Sequence, residues 1–215
     1  MSIKDKVNTS KFTKDSDNFK ELIILYNSIN NEENIINNCE FNNTCGDITK
    51  DIEWLWAVNQ NAINCFTKFF EEINLVKKVN KYYNNHFSIL GISFITLNTD
   101  EILDEDSEYH FDIVSQYDVP HQTNILTVLI PMKYEKGMGG LEYIVDDTVQ
   151  YYEYNIGEYI VFDSSKIKHR TAPFKIENKM NRVLISVNLS SDLEWAKAVT
   201  KSNTHSQGNY FDEGI

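Results

Sequence analysis

Proline and glycine are scarce in this 215-residue chain, at three and eight residues, which excludes collagen-like and low-complexity architectures. Cysteine is scarcer still. Cys39, Cys45 and Cys65 are odd in number, which argues against a disulfide framework and for free thiols in a reducing compartment. Positive charge is also short: 20 Lys+Arg stand against 32 Asp+Glu, a net charge of -12, and no basic cluster reverses that sign locally. Phosphate backbones are repelled, so no nucleic-acid partner is expected, and a neutral or cationic substrate fits better. No apolar run approaches the roughly 18 residues of a membrane span, and the polar start carries no apolar leader core. The expectation is a soluble, cytoplasmic protein with no membrane partner.

Hydrophobic residues make up 41% and aromatic residues 13% of the chain, close to the globular norm. Before about residue 85 the pattern predicts helices joined by polar loops. Phe19, Leu22, Ile23, Tyr26 and Ile29 recur at helical spacing, the Asn-rich stretch 30–46 reads as loop, and a longer helix, broken once, is expected over 51–82. From Phe87 the period switches to strands, expected at 88–97, 109–115, 123–131, 141–145, 148–154, 158–163, 168–174 and 181–189. So many strands without intervening helices point to an antiparallel sandwich or barrel. A last helix is expected over 192–200, with Ser191 capping and Glu194 at the third position, followed by a mobile tail to residue 215.

The chemistry is concentrated in the strand block. His110-Phe111-Asp112 places an imidazole and a carboxylate two residues apart, on one face if the segment is a strand. His169 follows 57 residues after Asp112, at the head of another predicted strand. Two imidazoles and one carboxylate form the facial set of non-haem Fe(II), leaving three positions for a bidentate 2-oxo acid and dioxygen. A structural site would want a fourth protein ligand. The chain's two arginines are Arg170 and Arg182. Arg182, 13 residues beyond His169, suits the anchor for a co-substrate carboxylate, whereas Arg170 points to the opposite face from His169 and reads as a structural charge.

Taken together, residues 88–190 resemble the double-stranded β-helix core of the Fe(II)/2-oxoglutarate-dependent dioxygenases, especially the prolyl-hydroxylase-like branch. The matching features are His110-x-Asp112, Leu126-Thr127-Val128-Leu129-Ile130-Pro131, Gly139-Gly140-Leu141-Glu142-Tyr143, the run from Gly157 to Phe162, His169 and Arg182. The resemblance implies a mainly β fold with N-terminal helices and a jelly-roll, cupin-like core. It divides a single-domain chain into a helical lead-in at 1–86, a catalytic core at 87–190, and a short helix and tail at 191–215. It implies that His110, Asp112 and His169 ligate Fe(II) and that Arg182 binds the distal carboxylate of 2-oxoglutarate, with Thr127 and Ser186 as further co-substrate contacts and Asn188 lining the pocket. Carbonyls or carboxylates nearby would fix the tautomers of both histidines. Pro131 stands where the family often carries a Tyr or polar residue. Because Asp112 is present, hydroxylation is implied rather than halogenation.

The implied reaction oxidises an unactivated C–H of an amino acid, peptidyl side chain or small metabolite, with dioxygen consumed and succinate and CO2 released. Two other classes share the architecture: a cupin-like metal protein, such as an isomerase or a dioxygenase independent of 2-oxoglutarate, and a catalytically silent jelly-roll binding module. The acidic run from Asp100 to Glu108 reads either as a solvated loop or as an attractor for a cationic substrate. His121 is a candidate substrate contact, and the many tyrosines of the strand region are read as half-buried sheet residues.

Overall fold

The computed structural model describes residues 7–30, 38–45, 51–113, 122–177 and 181–209. In chain order the elements are β1 (Val7–Lys11), α1 (Asp17–Asn30), β2 (Phe41–Cys45), β3 (Ile52–Ala57), α2 (Gln60–Glu72), α3 (Leu75–Tyr83), β4 (Phe87–Leu97) and β5 (Glu101–Ile102). They continue with β6 (Ile125–Lys133), β7 (Leu141–Val145), β8 (Thr148–Tyr152), β9 (Glu158–Phe162), β10 (His169–Thr171), β11 (Phe174–Lys175), β12 (Arg182–Ser191) and α4 (Glu194–Ser206). Seven strands form one sheet in the order β1-β9-β6-β12-β4-β3-β2, and β10-β7-β8 form a smaller one. Every pairing in these two sheets is antiparallel.

The central strand β12 explains the layering. Its side chains alternate: Val183, Ile185, Val187 and Leu189 enter one core, while Arg182, Leu184, Ser186 and Asn188 face the other way, and all are buried. The first face packs under the helices, where Phe19, Leu22 and Leu25 of α1 and Phe66 and Phe69 of α2 are fully buried. Each such side chain contributes about 1.5–3 kcal/mol of transfer free energy. The second face meets the small sheet around Leu129, Ile160, Phe162 and Leu184, with Leu141 and Val145 opposite. A polar strip embedded in that second face is what the site is built from.

Several expectations need correction. The span 51–58 is strand β3, not helix: Ile52 and Trp56 imitate helical spacing, but Trp54 and Trp56 face the cavity while Leu55 enters the helix-side core. Strand β2 lies in the stretch expected to be loop, and β1 pairs with β9, so the region before residue 87 supplies three strands as well as helices. The helical part breaks at Ile73-Asn74, between α2 and α3. No strand covers 109–113; His110 makes only an isolated bridge to His169, and 114–115 lie outside the described residues. The span 168–174 divides into β10 and the start of β11.

Helix α4 starts at Glu194 after Leu193, whose apolar side chain cannot cap it, and the Ser191 hydroxyl expected to do so donates to Asn124 Oδ1 at 3.1 Å. It also continues beyond residue 200 to Ser206, and its end is docked rather than loose. Asn42 Nδ2 donates to the Gly208 carbonyl at 2.7 Å and Thr44 Oγ1 to the Gln207 carbonyl at 2.7 Å. Gly208 has a φ of +102°, and a Cβ there would meet Thr44 Cγ2 at 2.5 Å, so glycine permits this close approach. The rest of the expected tail, 210–215, lies outside the described residues.

Candidate metal centre

The segment carrying His110 and Asp112 is held by main-chain bonds to the turn that follows β9. His110 and His169 exchange N–H···O bonds of 3.0 and 2.9 Å, and Asp112 N donates to Ser164 O at 3.1 Å. That turn is itself closed by Ile167 N donating to Asp163 O at 2.8 Å, and by Ser165 Oγ donating to Asp163 Oδ1 at 2.7 Å. His110 and Asp112 therefore converge through this lacing, not through the shared strand face expected from their spacing.

The ligand atoms of His110, Asp112 and His169 all lie within 4.8 Å of one another. His169 Nε2 is 3.1 Å and His110 Nε2 3.7 Å from Asp112 Oδ1. Each imidazole places Nδ1 against a carbonyl two residues back, His110 on Glu108 O at 3.0 Å and His169 on Ile167 O at 3.1 Å. When Nδ1 carries the proton, the Nε2 lone pairs of both rings are left to point at the carboxylate. These carbonyls stand where groups that fix the tautomers are expected, which the sequence leaves unassigned.

Two imidazole lone pairs and a carboxylate around one point repel unless a cation or proton sits between them. Burial pushes the Asp112 carboxyl up, but His169, His110 and the Thr127 hydroxyl outweigh it and hold the group below the ordinary carboxylate value. Burial pushes His169 down, and Asp112 more than reverses that, leaving its imidazole raised. The carboxylate's other oxygen is also held: Thr127 Oγ1 donates to Asp112 Oδ2 at 2.8 Å, and Asn188 Nδ2 reaches Thr127 Oγ1 at 3.5 Å. The His110 side chain is 57% exposed and that of His169 only 8%, so the centre opens on the His110 side. This is a donor set that can hold Fe(II) while leaving coordination positions free.

Arg182, Thr127 and Ser186 line the same 480 Å³ cavity as His110, Asp112 and His169. Arg182 is 3% exposed. Its guanidinium donates to Gly139 O at 2.6 Å and Thr171 Oγ1 at 3.2 Å, and lies 5.6 Å from the centre of the Tyr154 ring. Nε has no partner, and no carboxylate pairs with the group among the described residues. Burial accordingly pushes its pKa down. Arg170 is the opposite case, bonded to Glu142 Oε2 and Asp104 Oδ1, both at 2.7 Å, and stacked on Tyr109.

Sequence reasoning missed Trp54, Trp56, Asn203 and Gln207, which line the cavity. The first two were absorbed into an expected helix, and the last two lay in the expected mobile tail. The alternation Trp54-x-Trp56 was the available signal. His121 lies outside the described residues, and His86 is exposed against Asp192 at 3.1 Å.

No protein-family model matches this chain, and no curated protein does. Solved structures do. A prolyl-4-hydroxylase from Pseudomonas putida is 13% identical, with a TM-score of 0.59 over 86% of this chain and 92% of that one. HygX from Streptomyces hygroscopicus, with nickel and 2-oxoglutarate bound, is 8% identical, with a TM-score of 0.63 over 87% and 84%. The viral collagen prolyl hydroxylase of Paramecium Bursaria Chlorella virus-1, in its 2-oxoglutarate complex, is 11% identical, with a TM-score of 0.53 over 87% and 97%. With its large antiparallel sheet, its N-terminal helices and its His-Asp-His cluster, this chain has the double-stranded β-helix fold of the 2-oxoglutarate/Fe(II) oxygenases.

Proposed function

We propose that this protein is a 2-oxoglutarate- and Fe(II)-dependent dioxygenase that hydroxylates an unactivated C–H of an amino acid, peptidyl side chain or small metabolite. In the overall reaction R–H, dioxygen and 2-oxoglutarate give R–OH, succinate and CO2, so one oxygen atom enters each organic product. The core at 87–190 carries the chemistry, with the described residues before it packed on it and 191–209 closing one side.

The observation that carries this reading is Arg182. A buried guanidinium without a carboxylate costs several kcal/mol of desolvation that two neutral hydrogen bonds recover only in part. A ligand carboxylate arriving in the cavity would complete it with charge-assisted bonds. An isomerase or a dioxygenase that does not use a dicarboxylic co-substrate has no use for such a group. A silent binding module has none for two imidazoles and a carboxylate, each held by a hydrogen bond and converging on one point.

In this reading His110, Asp112 and His169 hold Fe(II), which supplies dioxygen activation when bound. Arg182 takes the distal carboxylate of 2-oxoglutarate, and Ser186, between Arg182 and Asn188 on the same face, contacts its body. Thr127 fixes the Asp112 carboxylate so that one oxygen stays directed at the metal. Leu129, Phe162 and Leu184 exclude water from the stretch between metal and arginine.

Anaerobic addition of Fe(II) and 2-oxoglutarate to the full chain tests this. A visible metal-to-ligand charge-transfer band, followed by succinate release on admitting air with a substrate panel, is the expected result. A chain that binds Fe(II) but forms no band with 2-oxoglutarate would overturn the reading.

A further inference from the structure

Beyond the metal residues, on the side of β4 and β3, the cavity continues into a recess that the reading above leaves without a role. Cross-strand register sets its floor: Ser93 on β4 pairs with Ser186 on β12 and with Trp56 on β3, so these side chains share the cavity face. Trp54, two residues before Trp56, shares it too. Three polar atoms here are buried with no partner among the described residues: Trp56 Nε1, Ser93 Oγ and Asn188 Oδ1, in residues 1%, 0% and 6% exposed. Asn203 of α4 and Gln207, just past its end, close the recess with carboxamides that make no hydrogen bond among the described residues.

We propose that this recess is the substrate compartment of the same site, and that it takes a small polyhydroxylated ring bearing an ammonium group, an amino sugar in chemical class. The proposal rests on the dioxygenase reading for its reaction but on separate residues for its ligand. The floor offers the Trp56 N–H donor and the Asn188 carbonyl acceptor, with the Ser93 hydroxyl buried behind them. A substrate rich in hydroxyls can satisfy both because each hydroxyl both donates and accepts. An apolar substrate would leave them unpaired. The half-buried Trp54 indole adds flat apolar area suited to the C–H face of a saturated ring.

Charge narrows the class further. Asp106 and Glu108, both exposed, also line the cavity, and neither is paired with a cation among the described residues. Arg182, the cavity's guanidinium, is committed to the co-substrate. A substrate carboxylate would therefore meet like charge, whereas an ammonium would meet two carboxylates. A volume of 480 Å³ for the whole cavity suits a small molecule.

The test is a tryptophan-fluorescence titration of the full chain, alone and loaded anaerobically with Fe(II) and 2-oxoglutarate, using glucosamine, glucose and lysine as probes. Glucosamine is expected to give a saturable change and to bind about tenfold tighter than either other probe, one charge-assisted bond's worth of discrimination. Trp56→Phe, which keeps a ring but removes the N–H, is expected to weaken glucosamine by up to about tenfold. Asn203→Ala, on the half-exposed face of α4, is a second variant with little risk to folding and should weaken it similarly. Asp106→Asn with Glu108→Gln should bring glucosamine down to glucose and leave glucose unmoved. Lysine binding as tightly as glucosamine, no saturable change with glucosamine, or indifference to all these variants would overturn the proposal. A charge-transfer band without sugar binding defeats only this inference, and sugar binding without the band defeats only the dioxygenase reading.

Discussion

His110 and His169 are a hydrogen-bonded antiparallel pair, joined by two main-chain bonds of 3.0 and 2.9 Å, with ring centroids 4.7 Å apart. Side chains of such a pair fall on one face of the ladder, so the backbone itself aims both imidazoles at the same place.

Removing the His110 ring leaves that bridge intact, because both bonds are main-chain. His110→Ala should therefore fold with a thermal midpoint within about 2 °C of the parent, as expected for a substitution at an exposed position. Fe(II) affinity should fall by more than about 100-fold, beyond what losing a group behind a ligand costs. Calorimetry and anaerobic metal titration check the two halves separately. A large drop in midpoint with metal binding preserved would show that the ring is structural.

In the proposed function Thr127 would act on the metal through Asp112. Thr127→Val removes the hydroxyl that donates to Asp112 Oδ2 and leaves that oxygen and Asn188 Nδ2 unpaired, costing about 1–3 kcal/mol of stability. With one carboxylate oxygen no longer held, Fe(II) affinity should fall by about 10–100-fold. Thr127→Ser keeps the hydroxyl and should recover most of the affinity. Metal titrations of the three proteins decide it.

The jelly-roll half of the molecule was legible because its strands carry β-branched runs bounded by turn residues; β7 falls at 141–145 as expected, and β12 begins within a residue of its expected start. The edge toward β2 was not. Phe41–Cys45 reads FNNTC, an Asn-rich sequence of low strand propensity, and becomes a strand through pairing with β3 and through Asn42 and Thr44 bonding the end of α4. β3 was obscured because apolar side chains occupy both of its faces, which erases the period of two. The six expected site residues come together in one cavity, but the lacing of 110–112 to 164–169 is a long-range main-chain contact that no local pattern encodes.

The two arginines should separate cleanly. Arg182→Ala removes a buried guanidinium that has no carboxylate among the described residues, so the charge-transfer band with 2-oxoglutarate should disappear while stability changes little. Arg170→Ala breaks bonds to Glu142 and Asp104, and should destabilise the chain by about 1–3 kcal/mol while the band survives. Arg182→Lys should not restore the band fully, since an ammonium cannot reproduce a two-pronged contact. Denaturant melts alongside visible spectra of each variant provide the comparison.

Cys39 and Cys65 sit away from this chemistry, buried at 3% and 4% exposure with sulfurs 3.8 Å apart. Burial first, and then the neighbouring Cys65 thiol, push the Cys39 thiol from 9.0 up to about 12. At pH 8 such a thiol is thiolate in about one molecule in ten thousand, and the thiolate is the reactive form. Iodoacetamide should therefore leave Cys39 unmodified in the native chain and label it only after denaturation, as peptide mass mapping would reveal. The same shift has a stability consequence of definite sign. Because the native state holds the proton more tightly than the unfolded chain does, the resulting stabilisation is complete below pH 9 and is lost as pH climbs toward about 12. Cys39→Ala should flatten that alkaline decline in a denaturant series run between pH 8 and 11. An equally steep decline in the variant would place its origin in tyrosines instead, among them buried Tyr83 and half-buried Tyr134, which burial also pushes upward.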